Sequence, residues 1–133
     1  MEILENVAVK LTVPNAVVPV IQKHVEKFKV LEERETLSDV VIRWGLDEMT
    51  LLSDLLNFKK FPPSPIVRDY KWSGRFHPFD HQKTTSEFFS VNRRAFCFNE
   101  AGTGKTSSVL WASDYLMNEG KIKRVLVICP LSI

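Results

Sequence analysis

The sequence predicts an α/β chain: a small α+β module followed by the beginning of a parallel sheet wrapped by helices. Three observations carry that prediction. Residues 6–13 alternate apolar and polar, the pattern of a strand with one buried face. Residues 124–129, Arg-Val-Leu-Val-Ile-Cys, are nearly all apolar, the pattern of a strand buried on both faces. Between them lies a glycine loop, Asn99-Glu100-Ala101-Gly102-Thr103-Gly104-Lys105-Thr106, after one apolar run and before a helical pattern.

The elements follow in order. Val7, Val9, Leu11 and Val13 share one side of the first strand, which Pro14-Asn15 closes. Val18, Ile21, Val25 and Phe28 recur at helical spacing, so residues 16–28 read as an amphipathic helix. Residues 29–36 and 39–44 read as two strands of a hairpin around Leu37-Ser38, the first an edge guarded by charge. Asp47 is the expected N-cap of a helix carrying Met49, Leu52, Leu55 and Leu56. Residues 1–60 therefore form the α+β module.

Phe61-Pro62-Pro63-Ser64-Pro65 breaks regular structure and opens a basic linker, residues 61–75. Tyr70, Trp72 and Phe76 are expected to anchor it to the second unit, since aromatic rings seek burial. Residues 76–133 make that second unit. Asp80 to Val91 reads as a helix and Arg94–Phe98 as its first strand. Thr106–Asn118 reads as a helix burying Val109, Ala112 and Leu116, with Gly120 as its C′ residue. Strand, helix, strand in this order implies a right-handed crossover. Cys97 and Cys129 fall in the two expected strands and read as core residues.

At 133 residues, 44% apolar and 26% charged, the composition is that of a globular protein. No apolar run reaches the length of a membrane span, and the acidic start Met1-Glu2-Ile3-Leu4-Glu5 is unlike a signal peptide. A cytoplasmic setting is expected. The net charge of +2 is unevenly spread. Residues 1–58 hold six Lys/Arg against ten Asp/Glu, whereas residues 59–94 hold eight against three. The basic middle stretch is either a solvated linker or a surface near phosphates. His77 and His81 have i, i+4 spacing without a Glu or Cys partner, so no metal site is read there.

The glycine loop carries the chemistry. Gly102 and Gly104 let the backbone turn and approach a triphosphate without a Cβ in the way. The helix after it aims free N–H groups and its positive end at the anion. Lys105 is placed to reach the terminal phosphates, and the Thr106 hydroxyl to ligate Mg²⁺. Asn99 stands where the first glycine of such loops usually sits.

Three landmarks in sequence order, His77-Pro78-Phe79-Asp80-His81-Gln82, the loop 99–106, and Val125-Leu126-Val127-Ile128-Cys129-Pro130-Leu131-Ser132, resemble the start of superfamily-two helicases. Within that group the chain is similar to Swi/Snf-type ATPases, and in detail to helicases encoded by bacteriophages and prophages. The resemblance covers residues 76–133. It implies the first part of a RecA-like domain, ending just after the Pro-x-Ser element. It implies ATP and Mg²⁺ as cofactors, Lys105 as the catalytic residue, and loop residues Asn99, Glu100, Ala101, Gly102, Thr103, Gly104, Lys105 and Thr106 around ATP. It implies that Gln82 reads the adenine edge, and that Pro130 and Ser132 lead to a nucleic-acid phosphate. DNA is the implied partner, with RNA as the alternative. Asn99 departs from the family's usual aspartate.

The implied activity is that of an ATP-dependent DNA helicase or translocase. No Asp-Glu box comes after the loop within the chain, so it is expected to be the N-terminal part of a longer motor, without ATPase activity of its own. The alternatives are another P-loop ATPase or kinase, or a nucleotide- or nucleic-acid-binding module that does not hydrolyse.

Overall fold

A computed structural model describes residues 1–56 and 61–129. Its sheet has four strands: β1 (Glu2–Leu4), β2 (Ala8–Pro14), β3 (Phe28–Glu33) and β4 (Leu37–Arg43). Their spatial order is β1-β2-β4-β3, and every pairing is antiparallel. The helices are α1 (Val18–His24), α2 (Leu46–Leu55), α3 (Ile66–Asp69), α4 (Asp80–Val91) and α5 (Lys105–Asn118).

The sheet follows from the alternation in its sequence. Val9, Leu11 and Val13 of β2 lie beside Ile42, Val40 and Ser38 of β4, all on the buried face. Ile21 of α1, Met49 and Leu52 of α2 and Ile66 of α3 join them in one core. Each such side chain contributes about 1.5–3 kcal/mol by leaving water. β3 is an edge, as its charges suggest, with Leu31 as an extra residue where its register to β4 shifts. β1 was not legible in the sequence. Its turn to β2 puts Glu5 and Asn6 at φ 48° and 57°, and the Val7 N–H donates to the Leu4 carbonyl at 3.0 Å. Two positive φ angles in succession match the right-handed twist of a hairpin.

Several boundaries move. The helix expected over 16–28 is a 3₁₀ turn, Asn15–Val17, followed by α1, with Pro19 in the first turn of α1. Val25 is already extended and Phe28 opens β3. Gly45, not Asp47, is the N-cap of α2, and Asp47 and Glu48 stand in its first turn, where the helix dipole favours carboxylates. The Pro-rich stretch is not left in solvent: Pro62, Pro65 and Ile66 are fully buried. Tyr70 and Trp72 also anchor as expected, in an edge-to-face pair that continues to Tyr115 and Trp111 of α5. Phe76 does not, being 74% exposed.

α4 and α5 pack against each other. Small residues are buried on both helices, Ser86 and Ser90 on α4 and Ser108 and Ala112 on α5, and Ser86 meets Ser108 across the contact. The Ser86 hydroxyl lies 2.9 Å from the Gln82 carbonyl and 3.0 Å from the Ser108 carbonyl, so its one proton is shared between the helices. The inward face of α5 is thus Ser108, Ala112 and Tyr115, with Leu116 only partly buried and Val109 exposed, a quarter-turn from the expected stripe. Val91 and Tyr115 connect this helix pair to the core of the sheet. At the end of α5, Gly120 is left-handed at φ 68°, as expected. Its N–H reaches the Met117 carbonyl and that of Lys121 reaches Leu116, a Schellman closure.

The expected parallel sheet is overturned. Residues 94–98 and 124–129 form no strand, and the sheet of the described residues is wholly antiparallel, in a mixed α/β fold that is not a parallel RecA-like sheet. Phe96 is 83% exposed, Phe98 91%, Leu126 84% and Ile128 87%. A strand needs neighbours to satisfy its N–H and C=O groups, and an apolar run without them gains neither hydrogen bonds nor burial. The two cysteines accordingly leave the core: Cys97 is half-buried and Cys129 exposed. Among the described residues no helix is long and apolar enough to cross a membrane.

Candidate phosphate-binding loop

The loop lies where α5 begins. Gly104 is the N-cap residue at φ 78°, ψ 32°, and Gly102 also has φ 78°. Both angles are in the left-handed region, which a side chain resists. A helix N-terminus leaves its first N–H groups without intrahelical acceptors, and here they belong to the residues from Gly104 onward. Thr103 steadies the turn by donating its hydroxyl to the Glu100 carbonyl at 2.9 Å.

Lys105 folds back across this turn. Its Nζ donates to the carbonyls of Asn99 and Glu100, each at 2.8 Å. The ammonium is therefore held by neutral acceptors at the mouth of the loop. Thr106, next along, is exposed and makes no side-chain hydrogen bond among the described residues. Ala101 and Glu100 are exposed at the tip.

α4 supports the loop from the side. The His81 Nε2 stands 3.0 Å from the Thr103 carbonyl, so that nitrogen carries a proton. The Gln82 Nε2 donates to the same carbonyl at 3.2 Å, and its Oε1 accepts the Phe79 N–H at 3.0 Å. Asn99 donates from Nδ2 to the Thr85 hydroxyl at 3.0 Å. Gln82 is thus beside the loop, but its amide is turned onto the loop and onto its own helix start. His81 and Thr85 escaped the sequence reading. The signal was present in their i, i+4 spacing around Gln82, which puts all three on adjoining parts of one helix face.

Beside the loop runs a cleft of about 630 Å³, lined by Arg75, Phe76, Phe79, Gln82, Ser107 and Trp111 among others. Its far wall is pinned to α5. The Tyr70 hydroxyl donates to Asp114 at 2.6 Å, and the Trp111 indole N–H to the Ser73 carbonyl at 2.6 Å. Burial and the Asp114 bond both push the Tyr70 pKa up. Phe79 stacks on His81 at 5.7 Å. A larger cleft of about 1300 Å³, between β1, β2 and α4, is more apolar and contains Glu87, whose pKa is raised by burial.

The residues present fit a phosphate group: two left-handed glycines, a helix N-terminus and one ammonium converge. For Mg²⁺ they offer the Thr106 hydroxyl. Among the described residues no three His, Cys, Asp or Glu side chains cluster as a metal site, and a magnesium held chiefly by phosphate oxygens and water needs no such cluster. Pro130 and Ser132 lie outside the described residues. A scan against protein-family models, a search of curated proteins and a search of solved structures each found no match to the chain.

Proposed function

We propose that the chain binds ATP with Mg²⁺ on loop 99–106, as the nucleotide-holding part of an ATP-dependent DNA helicase or translocase. What supports the first half is the loop itself: left-handed Gly102 and Gly104 leading into α5, with Lys105 folded across the turn. The Lys105 ammonium has three N–H donors; two rest on the loop carbonyls, and the third is left for a phosphate oxygen, whose negative charge strengthens the bond. Backbone N–H groups at the start of α5 provide the rest of the cradle.

Thr106 and the phosphates would hold Mg²⁺, which when bound supplies positive charge against the charge that develops in phosphoryl transfer. The exposed rings of Phe76 and Phe79 and the guanidinium of Arg75 line the cleft beside the loop and suit a planar base. The Gln82 amide keeps one further N–H and one further lone pair to offer its edge. The helicase half of the reading rests on the resemblance of residues 77–82 and 99–106, and on the basic balance of residues 59–94.

The test is equilibrium binding of a fluorescent ATP analogue to the whole chain, with Mg²⁺ or with chelator. Lys105→Ala is expected to lose affinity by roughly tenfold or more, with its thermal unfolding unchanged, because Lys105 touches loop carbonyls and not the core. No saturable binding by the unmodified chain, or equal binding by the variant, overturns the reading.

A further inference from the structure

We propose that Asn99 is a positioning residue: its side-chain amide, bonded to Thr85, sets the place from which the Asn99 carbonyl holds Lys105. The inference rests on the nucleotide-binding reading above. It also gives a role to the one loop position that departs from the usual pattern.

The chain of bonds is continuous. The Thr85 hydroxyl donates its single proton to the His81 carbonyl at 2.8 Å, one turn back along α4. Its oxygen is then an acceptor, and the Asn99 amide N–H fills it at 3.0 Å. Asn99 itself offers its backbone carbonyl to the Lys105 ammonium at 2.8 Å. A shift at position 99 is therefore passed to Lys105 through one residue. The opposite side of the loop is held separately, by His81 and Gln82 on the Thr103 carbonyl. α4 thus grips the loop both where it begins and on its far side. The first grip matters because the preceding run, residues 94–98, lies in no strand that could fix it.

Thr85 suits this task. It is buried and its backbone is fixed in the second turn of α4. Asn99 is exposed, so its place is set by this bond more than by packing. A glycine at position 99 would have no side chain to make the bond. An aspartate would keep it with the direction reversed, taking the Thr85 proton from the His81 carbonyl.

The test uses the whole chain with Asn99→Leu, Thr85→Val, the double variant, and the conservative variants Asn99→Asp and Thr85→Ser. Amide hydrogen exchange over residues 99–105 without nucleotide is read first, then affinity for ATP with Mg²⁺. N99L and T85V are each expected to raise loop exchange and weaken ATP about fivefold. The double variant is expected to lose no more than either alone, and N99D and T85S to stay within about twofold of the parent. Additive losses, unchanged exchange in N99L, or an N99D loss equal to that of N99L would overturn the inference. If the unmodified chain binds no ATP, the functional reading fails, and the exchange measurements alone decide the role of Asn99.

Discussion

A Cβ placed on Gly104 would collide with the Nε2 of Gln82. Any other residue at position 104 would have to push aside the end of the Gln82 side chain and with it the bond to the Thr103 carbonyl. Gly102 differs: its φ is also 78°, but a Cβ there meets nothing within 4 Å.

Gly102→Ala should carry only the left-handed strain, about 1–2 kcal/mol, and retain measurable ATP binding. Gly104→Ala also displaces the Gln82 amide from the Thr103 carbonyl, so it should weaken binding and lower the melting temperature further. Pairing it with Gln82→Ala should recover part of the melting loss, because the collision goes and the strain stays. Calorimetric melting of these three variants against the parent checks this. Equal effects of the two alanines would show that Gln82 yields freely.

Gln82→Ala on its own should weaken ATP by about 1–3 kcal/mol. One contribution is structural, the lost bond to the Thr103 carbonyl. The other is the lost adenine edge, which should narrow the gap between ATP and GTP. Competition between the two nucleotides separates the contributions: weaker binding with an unchanged ATP/GTP ratio would leave Gln82 as a loop support only.

Alkaline stability should depend on Tyr115. Its hydroxyl is buried without a partner among the described residues, and burial, then the Glu119 charge, pushes its pKa upward. An unfolded tyrosine loses its proton near its ordinary value of 10.0, and the folded one only at higher pH. Above that value the unfolded state binds fewer protons, so stability falls as pH rises, by at most about 1.4 kcal/mol per pH unit for this group. Tyr70, raised by burial and by Asp114, acts in the same direction. Urea unfolding between about pH 8 and 11, in Tyr115→Phe against the parent, should show a shallower decline in the variant. The variant should be no less stable at the lower end of that range, since it loses no hydrogen bond.

The DNA half of the proposal has an ionic signature. Charge reversal at Lys59, Lys60 and Arg75 should reduce the slope of log affinity against log salt, by about 0.9 for every phosphate no longer neutralised. Lys59 and Lys60 lie outside the described residues, whereas Arg75 is exposed over the Phe76 ring at 5.7 Å. Filter binding across a salt series measures the slope. An unaltered slope would return this stretch to an ordinary solvated surface.

The amino-acid sequence by itself determined the elements whose hydrogen bonds close nearby. α4 was legible to its last residue, α5 to within one, and Gly120 as its cap, because a helix satisfies its backbone within four residues. The hairpin that became β3 and β4 was legible for the same reason, its partners being close in the chain. The alternation of residues 7–13 was legible because one face of β2 is buried, although its partners in β4 lie far along the chain. So was the loop, whose glycines are demanded by local backbone angles. Only the tertiary structure decided whether the apolar runs at 94–98 and 124–129 had neighbours. Composition reports that a strand would be buried in a sheet, not that the sheet is there. The bonds from His81, Gln82 and Thr85 to the loop were likewise beyond local reading, because they cross 14 to 22 residues and depend on how α4 lies against α5. That packing is set by buried serines and an alanine, residues that carry no strong pattern until two helices are brought together.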